Sequence, residues 1–258
     1  MNTTAQMVVK NEERFIWFAI KSVLPYVAKF LITDTGSTDN TLKIIKSIKS
    51  KKINLVQDKK TSIVKIRQEQ LRKTKASWFL LVDGDEIWPK DQLKKLLHLT
   101  KVLPKDKIAV VNETRNCAGD TWHYLPQSAG AYQFFGQKGH FNIRLMRTLP
   151  YKIVGSYPWE KYRLESKSIN KLTNRLAFSD AWYLHVTHLK RSFWEKGVKG
   201  RRKKIIDKGI LMRKKELPEV FFKKYPEIVP NPLVKRSLLY QLKASFVTPL
   251  KKLRRLIS

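Results

Sequence analysis

Residues 5–82 alternate between short apolar runs and longer stretches of helical period, and few folds accept that alternation. Ala5–Val9, Lys29–Thr33, Ile53–Gln57 and the strongly apolar Trp78–Val82 read as strands. Between the first two, Glu12 to Val27 sets Phe15, Phe18, Ala19 and Val23 at helical spacing and stops near Pro25; residues 40–50 and 63–75 read as two further helices. Strands separated by helices predict a mostly parallel sheet with right-handed crossovers, an α/β fold flanked by helices. Ligands of such sheets bind at the carboxyl ends of the strands. The polar clusters stand at those ends: Lys10-Asn11-Glu12-Glu13, residues 34–39, and Asp83-Gly84-Asp85-Glu86. Ile108–Asn112, Tyr132–Phe135, Asn142–Arg147 and Lys152–Val154 then predict an added antiparallel portion. After Leu189 the expectation is helix, interrupted near Pro218, Pro226, Pro230 and Pro232.

At 258 residues and 42% hydrophobic, the chain has material for one such domain and an appendage. A lone cysteine, Cys117, excludes a disulfide framework and a multi-cysteine zinc site, in keeping with a reducing compartment. Residues 1–10 do not read as a signal peptide, and no run approaches the roughly 20 apolar residues that span a bilayer. The expectation is a soluble or surface-bound cytosolic protein. Charge is the anomaly: 53 Lys+Arg against 21 Asp+Glu give a net +32. Residues 1–165 hold 29 basic and 15 acidic side chains, and residues 166–258 hold 24 and 6. That shift predicts one domain over 1–165 and a basic, mainly helical extension with a different task over 166–258. Nucleic acid, an anionic membrane surface and a phosphate-rich small molecule each answer such a charge.

The acidic run Asp83-Gly84-Asp85-Glu86 follows an apolar strand without a gap. Carboxylates so crowded repel one another unless a cation sits among them, and Mg²⁺ or Mn²⁺ takes one or two carboxylates together with water and substrate phosphates. Gly84 would let a diphosphate approach the backbone. An acidic turn leading into a helix would need the same residues. In Asp34-Thr35-Gly36-Ser37-Thr38-Asp39, the small and hydroxylated residues predict a tight turn and a helix cap. Asp34, at the strand end, would be free to accept hydrogen bonds from a ribose or base.

"VVKNEE", "LITDTGSTDNT" and "WFLLVDGDE", in that order, resemble the family 2 glycosyltransferases of the GT-A fold, over roughly residues 5–165. Within that family the chain looks closest to the lipopolysaccharide-core-type glucosyltransferase-like branch, with Thr35 before the glycine. The resemblance implies that Asp34 contacts the uracil or ribose of a nucleotide-sugar, with Asn11 and Glu13 lining the same pocket. Arg67 would help hold the nucleotide, although Gln68 follows it where the family often has Asn. Asp83 would face the ribose or the metal's water shell, and Asp85 would ligate a divalent metal, Mn²⁺ or Mg²⁺, across the diphosphate.

Inverting sugar transfer needs a carboxylate base opposite the leaving diphosphate. The segment "YKIVGSYPWEKYRLE" offers Glu160 and Glu165; Glu160 is the expected base, in a place where the branch often has His-Glu. His185 and His188 in "WYLHVTHLKRS" are expected near the metal, sharing a helix face or with His185 ending a strand. Lys190, Arg191, Arg201 and Arg202 would clamp the diphosphate or an anionic acceptor. Over residues 233–258 seven basic residues, no acidic one and apolar positions at helical spacing predict an amphipathic segment suited to an anionic membrane surface, broken into two helices at Pro249. The expectation is sugar transfer to a glycan or glycolipid in cell-surface polysaccharide or lipopolysaccharide assembly, at the inner face of the cytoplasmic membrane. Nucleic acid is the weaker partner, because carboxylates at strand ends repel phosphates unless a metal intervenes. A nucleotidyltransferase on a similar core is the other enzyme class open at this point.

Overall fold

The computed structural model describes residues 2–189 and 206–257. An eight-stranded mixed sheet organises the chain, in the order β3-β2-β1-β4-β10-β6-β14-β5. Its parallel half is β1 (Thr3–Val9), β2 (Lys29–Asp34), β3 (Ile53–Gln57) and β4 (Trp78–Leu81). Helices α1 (Ile16–Val23), α2 (Thr41–Ser47) and α3 (Ile63–Arg72) connect these strands. The other half is β10 (Phe141–Arg147), antiparallel to β4 and to β6 (Ala109–Asn116), then β14 (Leu176–His185), parallel to β6, and the short β5 (Glu86–Ile87) at the edge. Helix α4 (Lys90–Val102) packs against β14.

Alternation of side chains along each strand divides the interior into two cores. From β4, Trp78 and Leu80 join Met7, Ile32 and the buried faces of α1, α2 and α4 on one side. Phe79 and Leu81 join Val111, Met146 and Leu71 of α3 on the other. That second core is closed by the small antiparallel sheet of β11 (Lys152–Val154), β12 (Lys161–Leu164) and β13 (Lys167–Ser168). Both faces of the central strands are therefore covered, which is why they read as nearly unbroken apolar runs.

Three expectations change. A strand of the central sheet, β14, lies beyond residue 165, so the sheet does not end where the charge balance shifts. Its sequence, LAFSDAWYLH, interrupts the apolar pattern at Ser179 and Asp180, where a bulge shifts its register against β6. Residues 206–237 form the two-residue strand β15 (Ile210–Leu211) and two short 3-10 turns, Lys214–Glu216 and Glu219–Phe222, rather than α-helix, as their prolines favour. The last element is one helix, α5 (Leu238–Ile257), with Pro249 inside it. Proline costs that helix one hydrogen bond, and side-chain anchors on both sides of it hold the run together. No helix among the described residues is long and apolar enough to cross a membrane.

Candidate functional site

The loop after β4 is where the charged side chains of the interior meet. Asp83 accepts from Arg67 of α3 at 3.1 Å through one oxygen and from Arg144 of β10 at 3.0 Å through the other. Arg144 also pairs with Glu86, which is fully buried, and lies over the Tyr183 ring. At the far end of this network, Arg67 Nε lies 3.8 Å from Glu160, on the loop between β11 and β12. Burial alone would raise the Asp83 carboxyl, but Arg144 and Arg67 outweigh it and hold it below the usual carboxylate range. For Glu86 burial prevails over Arg144, and its carboxyl is pushed up.

A second network leaves the same loop from Asp85. His185, the last residue of β14, places Nε2 3.4 Å from Asp85 Oδ2. Its Nδ1 donates to Asn116 Oδ1 at 3.0 Å, and Asn116 Nδ2 donates to His140 Nδ1 at 2.9 Å. Burial, with Arg255 and His185 nearby, pulls His140 down to about 4, so it stands neutral as an acceptor. Burial works against a charged His185 as well, but Asp85 more than offsets it and raises that imidazole. Because Asn116 fixes the hydrogen of His185 on Nδ1, a neutral His185 turns the Nε2 lone pair toward Asp85. That is the arrangement of a metal-binding imidazole with its outer nitrogen held.

A third group surrounds the turn after β2. Asp34 is wholly buried; its Oδ1 accepts from the backbone of Gly36 at 2.9 Å and Ser37 at 3.0 Å, and its Oδ2 from the Ser37 hydroxyl. Asn11 Oδ1 accepts from Thr38 N at 2.8 Å, and Glu13 accepts from Asn40 N at 3.0 Å. Asp39 in turn accepts from Glu13 N at 3.2 Å. The turn needs left-handed backbone at Gly36, φ 98°, and at Asn11, φ 54°. Asn11, Glu13 and Asp34 are thus brought together: Asn11 and Glu13 fasten the end of β1 to the turn after β2, and Asp34 braces that turn from within. Gly84 has a packing reason of its own. A Cβ there would lie 3.0 Å from Glu12 Cγ and 3.1 Å from Val9, so its lack of a side chain serves packing against β1.

The four expected metal residues do not gather into one cluster. No group of three or more His, Cys, Asp or Glu suited to a metal occurs among the described residues. Asp83 faces two arginines, and His188 lies past the strand end, half-buried, in the turn that follows β14. Asp85 and His185 remain as a pair, and two protein donors are what Mn²⁺ or Mg²⁺ takes when diphosphate and water complete its shell. Lys190, Arg191, Arg201 and Arg202 lie outside the described residues. Sequence reasoning missed Arg144, Glu86, Asn116 and His140. Only Glu86 carried a local sign of its place, as the third acid of the loop.

The model of the family described as "Glycosyl transferase family 2" matches residues 4–166, well over half of the chain. The chain belongs to glycosyl transferase family 2. Among solved structures, this glycosyltransferase resembles S. aureus TarS 1–349 in complex with UDP-GlcNAc, at 16% identity and a TM-score of 0.51, over 80% of this chain and 64% of that one. It also matches S. aureus TarS 1–349 at 17% identity and a TM-score of 0.48, over 72% and 61%. A further match is glucosyl-3-phosphoglycerate synthase from Mycobacterium tuberculosis, crystallised with Mn²⁺, UDP-glucose and phosphoglyceric acid, at 20% identity and a TM-score of 0.36, over 44% and 43%. The glycosyltransferase spans less than two thirds of the length of each. Among curated proteins no relative matches. Its fold is GT-A, the mostly parallel mixed sheet flanked by helices described above.

Proposed function

We propose that this glycosyltransferase moves a sugar from a UDP-linked donor to a hydroxyl of a glycan or glycolipid, with inversion, at the inner face of the cytoplasmic membrane in cell-surface polysaccharide or lipopolysaccharide assembly. The observation that carries the reading is the convergence on one loop of the Asp85–His185 pair and, through Arg67, of Glu160. The family supplies the reaction class, and the UDP-linked donor draws on the TarS fold, whose crystal structure holds UDP-GlcNAc. Asp85 and His185 hold the divalent metal, which when bound offsets charge developing on the diphosphate. Asp83, Arg67, Asn11, Glu13 and Asp34 form the nucleotide side. The donor reaches it once the turn after β2 exchanges some of its internal hydrogen bonds for ligand ones. Lys190, Arg191, Arg201 and Arg202 belong to the diphosphate or acceptor side.

Glu160 takes the proton of the acceptor hydroxyl as its oxygen attacks the anomeric carbon, and the bond from that carbon to the diphosphate oxygen breaks to release UDP. Its side chain is 12% exposed, and Oε1 is buried without a hydrogen bond, a base screened from solvent. Tyr157 and Trp159, 63% and 67% exposed on the same loop, offer flat apolar faces to a sugar ring, which favours a glycan over a small polar acceptor. Catalytic residues over 1–165 and a basic segment over 166–258 share the work, with His185 reaching back from the second into the first. The test is release of UDP from a panel of UDP-sugars with and without Mn²⁺ or Mg²⁺. Metal-dependent turnover that disappears in Asp85→Asn supports the reading, and turnover indifferent to metal and to that substitution sinks it.

A further inference from the structure

Helix α5 meets the body of the protein through its polar side. Tyr240, Ala244, Thr248, Lys251 and Arg255 recur three or four residues apart and face the domain. The Thr248 hydroxyl accepts from Lys208 N at 2.7 Å, Lys251 Nζ donates to the Ile206 carbonyl at 2.8 Å, and Arg255 pairs with buried Asp207 at 2.8 Å. The large apolar side chains Leu238, Leu239, Leu242, Phe246, Leu250 and Leu253 lie on the opposite side, each between 58% and 78% exposed. An amphipathic helix packed on a globular core does the reverse, burying its apolar stripe and wetting its polar one.

The geometry points to an anionic lipid surface as the occupant of this outward face, through an α5 that lies flat in the headgroup layer. This deepens the membrane setting proposed above and is independent of the sugar chemistry. At 3.6 residues per turn, exposed Lys243 borders the apolar stripe on one side and exposed Lys252 on the other. Residues 233–258 carry seven Lys and Arg and no Asp or Glu, and although Lys251 and Arg255 turn to the domain, Lys235, Lys243 and Lys252 are exposed. Two copies pressed together through this face would bring like charges into contact, whereas lipid phosphates neutralise them and acyl chains accept the leucines. The helix does not qualify as a membrane span, so an in-plane position is the one that satisfies both faces. The placement also orients the site. α5 rests on the loop that follows β6: the Tyr240 ring covers Gly119, and Arg236 N donates to Asp120 at 3.1 Å. Gly119 lies three residues after Asn116, which ends β6 and is the partner of His185. Docking through α5 therefore holds the site beside the headgroups, where a lipid-linked glycan presents its hydroxyls.

The experiment is co-sedimentation of the full chain, without nucleotide, with phosphatidylcholine vesicles and with vesicles in which about one third of the lipid is phosphatidylglycerol. The wild type is expected to sediment with the anionic vesicles only, and less as salt rises. Phe246→Ser with Leu250→Ser, both exposed and so dispensable for folding, should lower partition about tenfold or more while UDP binding stays unchanged. Partition unaffected by the double substitution overturns the proposal. So does a wild type that ignores anionic vesicles, or one whose apolar face instead joins two copies or an acidic protein.

Discussion

Arg144 is the hinge of the interior charge network, and replacing it with methionine has a calculable effect. Its side chain is 13% exposed and pairs with Asp83, which keeps Arg67 as a second cation, and with Glu86, which is fully buried. In Arg144→Met, Glu86 loses the cation opposing its burial and stays in the fold only by taking up a proton. Neutralising a carboxyl of ordinary pKa about 4.3 costs about 1.4 kcal/mol for each pH unit above that value, which sets a ceiling of about 4 kcal/mol at pH 7 and about 1 kcal/mol at pH 5, lowered by what burial already costs the raised Glu86 of the wild type. That ceiling falls within the range of about 3–5 kcal/mol typical of breaking a buried ion pair. The sign follows from proton uptake: the folded variant binds a proton that the unfolded chain releases, so its stability falls as pH rises above about 4.3. Asp83 runs the other way in the wild type. Its lowered carboxyl contributes stability above the unfolded value, which is lost as pH falls through the folded one. Urea unfolding at pH 5 and pH 7 reads the difference, and adding Glu86→Gln should recover most of the loss at pH 7. An equal deficit at both pH values, or no recovery in the double variant, would refute the account.

Asn116→Ala frees the outer nitrogen of His185 and should weaken Mn²⁺ binding in the presence of UDP by about 10- to 100-fold, read by calorimetry, with the unfolding midpoint little changed; unaltered affinity would leave Asn116 without a positioning role. Glu160→Gln should lower kcat by about 10²–10⁴ with UDP affinity preserved, and an undiminished kcat would move the base elsewhere. Gly119→Ala places a Cβ 2.6 Å from the Tyr240 ring at a φ of 85°, so it should destabilise the fold by about 1–3 kcal/mol and speed hydrogen exchange in α5. Exchange at the wild-type rate there would show that the helix is held by other contacts.

The inner strands of the parallel half were legible because burial on both faces writes them as compact apolar runs, and Trp78–Leu81 could hardly be read otherwise. The edge strand Ile53–Gln57 has no fully buried residue and showed instead through its alternation of Ile53 and Leu55 with Asn54. The acidic loop was legible for a related reason: charges that follow such a run without a gap must sit at its end. What could not be read is what arrives from a distance. Arg144 stands 58 residues from Glu86, and His185 stands 69 from Asn116; nothing local in β10 or β14 announces either pairing. The hydrogen bonds of Asp34 to its own turn were not legible either, since a carboxylate at a strand end is as useful to that turn as to a ligand. In α5 the pattern of apolar residues was plain, but periodicity gives a face without saying which way it points.

The position of β14 has a consequence for how the molecule is made. It is an interior strand, lying between β6 and β5, and it joins β6 in parallel across a separation of nearly seventy residues. During synthesis the first four strands and their helices can collapse as soon as they emerge, while β5 and the open side of β6 wait for a partner still on the ribosome. The same late strand delivers His185 to Asp85. A nascent chain can therefore shape the turns after β1 and β2 early, yet it cannot bring His185 beside Asp85 until β14 has joined the sheet.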